Sequence, residues 1–147
     1  MTSTPTPPGP ELLDERSIGG ILVHLLGLVT GFFGPILLYV VSDHEFTRSN
    51  ARHVIDWYLS LFALMTVGLV TFFLGADEVT AGGETIEMSL LPAPLDVVFA
   101  LVGFFLLIVL VIAVPLTFVY AIVATVKAIF GSVWTYPGSI DFVERYW

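Results

Sequence analysis

The hydrophobic positions of this chain concentrate in three long runs, residues 18–41, 51–74 and 95–130, with short polar stretches between them. Each run reaches the length of about 20 residues that a helix needs to cross a bilayer. The third is the clearest, because Asp96 stands near its start, Lys127 near its end, and no charge lies between. Those charges are 31 residues apart. That is roughly 46 Å of helix, close to the thickness of a bilayer with its headgroups. Pro115 falls inside the run; it removes one backbone donor and crowds the preceding turn, so a bend is expected there. A full break at Pro115 would leave residues 116–130 as only about 22 Å of helix, short of the roughly 30 Å hydrocarbon core. The pattern therefore predicts an all-α integral membrane protein with three transmembrane helices, the third long and kinked near Pro115, followed by an interfacial C-terminal segment.

Composition supports lipid as the solvent for these runs, since 56% of the residues are hydrophobic and only 12% charged. Residues 1–16 are rich in Pro and Thr and carry Glu11, Asp14 and Glu15 beside Arg16. They read as a disordered tail, and without a positive start the first helix reads as permanent rather than as a cleaved signal. Residues 17–147 then form a single membrane domain. The net charge of −8 comes from 13 acidic against 5 basic residues. Such a balance argues against a nucleic-acid partner, which needs a basic stripe, and it suits a high-salt cytoplasm. The absence of cysteine excludes disulfides, thiolate metal sites and cysteine nucleophiles.

Charge also predicts orientation. With three spans, Arg16 alone marks one face while Arg48, Arg52, Lys127 and Arg145 mark the other, so the latter face is cytoplasmic. The expected arrangement in the cell membrane is N-terminus outside and C-terminus inside. Asp77, Glu78, Glu84, Glu87 and Asp96 would then surround an outer loop with no base among them.

Within the runs, Gly20, His24, Gly27, Gly31 and Gly34 fall on one stripe of the first helix, a small-residue face suited to close helix packing. His24 on that stripe needs a protein partner, because an unpartnered polar group there is costly. The most information-dense stretch enters the second helix. Thr47 or Ser49 can cap it, Arg48, Arg52 and Asp56 form a ridge at i,i+4 steps in which Arg52 and Asp56 can pair, and Asn50, His53 and Trp57 form a second ridge. Arg48, Asn50, Arg52, His53 and Asp56 are thus a candidate polar cluster, read either as an interfacial anchor on anionic lipid or as a binding site. Asp43, His44, Glu45, His53 and Asp56 lack the spacing of a metal motif, so no metal is expected. Asp96 suits the start of the third helix, and Gly131 its stop. Beyond it, residues 132–147 read as an amphipathic tail on the inner leaflet, with Trp134, Tyr136, Tyr146 and Trp147 as interfacial aromatics and Ile140, Val143 and Trp147 on one face.

Several of these stretches together resemble a known family: His24-Leu-Leu-Gly with Phe33-Gly-Pro, then Phe46-x-Arg-x-x-Ala-Arg, then Lys127-Ala with Gly131 and Tyr136-Pro137. The chain is similar over residues 18–143 to a small prokaryotic membrane domain of unknown function, distantly related to the twenty-kilodalton subunit of the chloroplast import translocon. It departs from that pattern at Asn50, which precedes Ala51-Arg52 where the family has His, and at Asp56-Trp57-Tyr58. The resemblance implies a helical membrane protein and carries no established reaction.

No nucleophile and base pair can be assigned from spacing, so no catalytic residue, no cofactor and no enzyme activity is expected. The leading expectation is a membrane helix bundle acting through protein or lipid contacts, with the bilayer, a second copy or another membrane protein as partner. The alternative is a transporter or channel component linked to protein translocation, although His24 and Asp56 are nearly all the polar lining one protomer offers.

Overall fold

The computed structural model describes residues 16–146; the rest of the expected disordered tail and Trp147 lie outside them. The order of elements is α1 (Ile18–Thr30), α2 (Phe33–Val41), α3 (Glu45–Leu74), β1 (Glu78–Ala81), β2 (Glu84–Glu87), α4 (Leu95–Ile129) and α5 (Phe142–Tyr146). They form two compact units, one made of the described residues up to Leu59 and from Thr117 onward, the other of Ser60–Leu116.

The fold is mostly helical, and α3 and α4 are long and apolar enough to cross a membrane. Only 11% of the most apolar window of each is buried. Leu101, Phe105 and Val111 on α4 are 62%, 64% and 70% exposed. A helix that is apolar on every side and leaves those sides uncovered is matched to hydrocarbon rather than water. The protein therefore associates with membranes. Helix α4 is continuous through Pro115.

The first run departs from the expected single span. Residues 18–41 divide into helices of 13 and 9 residues around Gly31, whose φ of 63° and ψ of −134° suit glycine. Pro35 lies in the first turn of α2, where a missing N–H costs no helical bond. Thr30 completes the turn, its Oγ1 donating to the Leu26 carbonyl at 2.8 Å and accepting from the Gly34 N–H at 3.1 Å. The chain reverses here: a Cβ on Gly27 would lie 3.6 Å from Pro35 Cγ, whereas residues eight apart in a straight helix are separated by about 12 Å. At the other end, the Ser17 and Thr47 hydroxyls are hydrogen-bonded. The start of α1 and the start of α3 are therefore level. Helices α1 and α2 form a hairpin, and α1 runs parallel to α3, with Gly20 at Phe46, His24 at Asn50 and Gly27 at Val54. Neither short helix reaches the roughly 20 residues of a span.

The first unit also contains the end of α4, which closes as expected at Gly131, with φ of 79°. Ser132 N–H donates to the Lys127 carbonyl at 2.9 Å and Gly131 N–H to Ala128 at 3.0 Å, a Schellman closure. Arg16 donates to the Ile129 carbonyl. The tail that follows is not one amphipathic helix: only the five residues of α5 are helical, and Val143 is buried while Ile140 is 49% exposed.

In the second unit α3 and α4 meet at glycines. A Cβ on Gly103 would strike the Phe72 backbone, and one on Gly75 the backbone of Ala100 and Asp96. The acidic stretch expected as a loop is a two-stranded antiparallel hairpin with Glu78 opposite Glu87 and Thr80 opposite Thr85. Gly82 and Gly83, with φ of 62° and 87°, make the tight turn that matches strand twist. Asp96 opens α4 as expected, its Oδ1 accepting from Val97 N–H at 2.8 Å.

Candidate functional site

Three buried polar side chains of the first unit, Asn50, His24 and Tyr136, build one connected relay. Asn50, in the second turn of α3, donates through Nδ2 to the Phe46 carbonyl at 2.9 Å. That bond turns its Oδ1 toward His24 Nε2, 3.0 Å away. The Nε2 position must then carry the proton, which leaves His24 Nδ1 to accept from the Tyr136 hydroxyl at 3.0 Å. All three side chains are buried. Tyr136 enters from the chain beyond α4, so one short polar relay ties α1, α3 and the tail together.

Aromatic rings surround this relay. Trp57 packs edge-on against Tyr120 with centroids 5.0 Å apart and donates through Nε1 to Thr117 Oγ1 at 3.0 Å. Tyr120 meets both Trp134 and Tyr136 at 5.6 Å. Tyr58 donates to the Gly27 carbonyl at 2.7 Å, which a side chain on Gly27 would displace. Burial pushes the Tyr136 phenol well above its ordinary range. Tyr136 is therefore a core residue rather than the expected interfacial one; Trp134 is half-buried and Tyr146 exposed.

The expected cluster separates: Asn50, His53 and Asp56 are buried, Arg52 is half-buried and Arg48 is exposed. Asp56 is fully buried, and its Oδ1 accepts from the Phe142 and Val143 N–H groups, each at 2.9 Å. It caps α5 from α3 across 86 positions of sequence. His53 is 8% exposed. Arg52 comes within 4.0 Å of Glu144, and the Arg48 guanidinium lies 4.8 Å above the Tyr39 ring. Thr47 caps no helix start, because α3 begins at Glu45. Of the glycine stripe, Gly20 and Gly27 do pack closely, against Phe46 and Val54, while Gly31 makes the turn and Gly34 follows it.

The sequence profile of the magnetosome magnetite crystal formation family, MamF/MmsF, matches residues 15–143. The chain belongs to this family. The match corrects the resemblance to the chloroplast-translocon-like domain: the profile that covers the stretches quoted for it is that of the magnetosome family instead. No curated protein and no solved structure matches the chain.

The second unit holds Asp77, Glu78, Glu84, Glu87 and Asp96 and no base. Register puts Glu78 beside Glu87 on one face of the hairpin, with the Thr80 and Thr85 hydroxyls 3.0 Å apart on the same face. Among the described residues no group of three or more His, Asp or Glu side chains converges on a metal-sized site. The carboxylates form an open surface, not a chelate.

Proposed function

We propose that this chain is a non-enzymatic integral protein of the magnetosome membrane that presents an acidic hairpin to the compartment where magnetite forms. The observation that carries this reading is the family match over residues 15–143, joined to two helices whose apolar sides stay uncovered. In this reading α3 and α4 are the spans, and the α1–α2 hairpin enters the bilayer and returns on its own side. Arg16, Arg48, Arg52, Lys127 and Arg145 all belong to the first unit. The positive-inside rule then assigns that unit, with both chain ends, to the cytoplasmic side. This replaces the separated termini that three spans would require. The hairpin follows α3, whose 30 residues cover about 45 Å, and so faces the opposite side.

There the Glu78 and Glu87 carboxylates offer oxygen ligands of the kind that hard iron ions and oxide surfaces take. Exposed single-sign charge also concentrates cations near a surface without a dedicated cage. A transport path is disfavoured because His24, Asn50, Tyr136, Trp57 and Thr117 satisfy one another and leave little polar lining for water.

The test is complementation in a magnetite-forming bacterium stripped of its own family members. The wild-type chain should co-purify with magnetosomes and alter crystal size by electron microscopy, and the triple variant Glu78→Gln, Glu84→Gln, Glu87→Gln should insert equally but lose that effect. Crystals indifferent to the wild-type chain, or a chain recovered from the soluble fraction, would overturn the proposal.

A further inference from the structure

Helix α3 carries Arg48, Arg52, Ile55 and Leu59 at steps of four, three and four, so they form one stripe running inward from the start of the helix. Two open hollows lie along that stripe. The outer one, about 320 Å³, is lined by Tyr39, Arg48, Ser49 and Arg52 together with the carboxylates of Asp43 and Glu45. The inner one, about 300 Å³, is lined by Ile36, Ile55 and Leu59 and, from the tail, Phe142, Val143 and Tyr146. Tyr39 and Ile36, three apart on α2, face the outer and inner hollows in the same order. Taken together as one trough along the stripe, the two hollows change from charged to mainly apolar, with Tyr146 the one polar-tipped side chain of the inner lining, over the seven residues from Arg52 to Leu59, about 10 Å.

We propose that this trough is a binding site for one phospholipid with a zwitterionic, primary-ammonium headgroup, phosphatidylethanolamine. The charge pattern selects the occupant. Two arginines stand against two carboxylates in the lining of the outer hollow, and Glu144 lies 4.0 Å from Arg52, so an anionic headgroup meets at least as much repulsion as attraction, whereas a phosphate joined to an ammonium satisfies both signs. The phosphate takes the arginines, with Arg48 held over the Tyr39 ring. The ammonium takes Asp43 and Glu45, to which its three N–H donors can hydrogen-bond. A choline headgroup has the charges without those donors. One acyl chain lies along Ile55 and Leu59. Phe142 and Val143 wall the chain because Asp56 caps their helix.

The site rests on the membrane-embedded reading of the first unit, and vesicle insertion is scored separately so that the two can fail independently. The experiment is native mass spectrometry of the full chain, released from detergent, with equimolar palmitoyl-oleoyl phosphatidylethanolamine, phosphatidylcholine and phosphatidylglycerol. The wild type should retain one phosphatidylethanolamine at least about fivefold over either competitor. Asp43→Asn with Glu45→Gln should invert the order in favour of phosphatidylglycerol, while Arg48→Gln with Arg52→Gln should lower retention of all three lipids. Glycerophosphoethanolamine, the headgroup without chains, should not compete. Phosphatidylglycerol retained as well as phosphatidylethanolamine by the wild type overturns the proposal. So does an unchanged order in the Asp43 and Glu45 variant, whose exposed sites leave folding intact, or displacement by the chainless headgroup.

Discussion

The same substitution, Gly→Ala, should have opposite signs at two points of the α3–α4 contact. In an isolated helix the change is favourable by about 1 kcal/mol. At Gly68 the new methyl would come 3.2 Å from Leu107 Cδ2 and 3.4 Å from Leu106 Cβ. The nearest atom is the tip of a mobile side chain, which yields a few tenths of an ångström, so most of the propensity gain survives. At Gly103 the methyl would lie 2.5 Å from Phe72 Cα and 2.7 Å from Phe72 Cβ. Carbon atoms rest about 3.5–4.0 Å apart, so the neighbouring backbone must retreat by about 1 Å. Overpacking of that kind costs typically about 1–3 kcal/mol, and a backbone obstacle belongs at the upper end, so the net loss should be about 1–2 kcal/mol after the propensity gain. Unfolding of the detergent-solubilised protein by added dodecyl sulfate, followed by circular dichroism, reads both. Gly68→Ala should unfold at equal or higher detergent fraction than the wild type, and Gly103→Ala at a lower one. Equal shifts of one sign at both positions would refute the close approach at Gly103.

Other perturbations address the first unit. Asp56→Ala removes the acceptor for two backbone donors and should cost about 2–4 kcal/mol, with Asp56→Asn losing much less; amide exchange at Phe142 and Val143, the bonded groups, should accelerate in the first variant and change little in the second. Tyr136→Phe leaves His24 Nδ1 without its donor and should cost about 1–3 kcal/mol near neutral pH. The Tyr136 phenol is raised in the fold, so its contribution is complete below the ordinary tyrosine range and fades as pH rises into it, where only the unfolded chain ionises; the melting temperature should fall above about pH 10 more steeply in the wild type than in Tyr136→Phe. Because the chain has no cysteine, single cysteines at Asp43 and Glu84 report topology cleanly. An impermeant maleimide should label them from opposite sides of the membrane, and labelling from one side sinks the two-span reading. Finally, Gly31→Ala should destabilise the protein by about 1–3 kcal/mol although nothing lies within 4 Å of the new methyl, measured by the same detergent titration.

Much of this fold was legible because hydropathy over long windows is a one-dimensional quantity. The runs at 51–74 and 95–130 became α3 (Glu45–Leu74) and α4 (Leu95–Ile129), and Gly131 ended the latter as a glycine should. His24 faces protein, as the cost of burying an imidazole in lipid demands. The acidic hairpin was partly readable too, since Gly82-Gly83 flanked by Val79, Thr80, Thr85 and Ile86 is a turn signal, although Ala81, Glu84 and the outer carboxylates are poor strand formers that mask it. The helix-contact glycines were half visible: Gly68 on α3 and Gly75 just past its end are spaced by seven, while Gly103 has no glycine companion on α4 and its partner is the backbone of Phe72. The bonds of Asp56 to Phe142 and Val143 were not visible at all. They span 86 and 87 positions, and only tertiary structure brings such positions together.

The division of residues 18–41 shows why an apolar run does not by itself mean a crossing. Hydropathy sums side chains, and neither Gly31 and Phe32 between the helices nor Phe33, Gly34 and Pro35 at the start of α2 carries a polar side chain to interrupt the run, yet Gly31 takes a φ of 63° that a continuous helix excludes. The distinction has a measurable sign, because a straight span would gain about 1 kcal/mol from Gly31→Ala whereas a reversal loses stability. It also determines the polar core. A straight first helix would carry the end of the run far from its start, and α1 would have to run antiparallel to its successor. Reversal at Gly31 brings the chain back to the level of Ser17 before α3 begins, which makes α1 and α3 parallel and sets His24 beside Asn50. The offset between them, 26 residues in sequence, nearly equals the stretch from the start of α1 to the start of α3. One glycine conformation therefore fixes which polar side chains meet, and the tail contributes Tyr136 to a relay that the hairpin has already put in register.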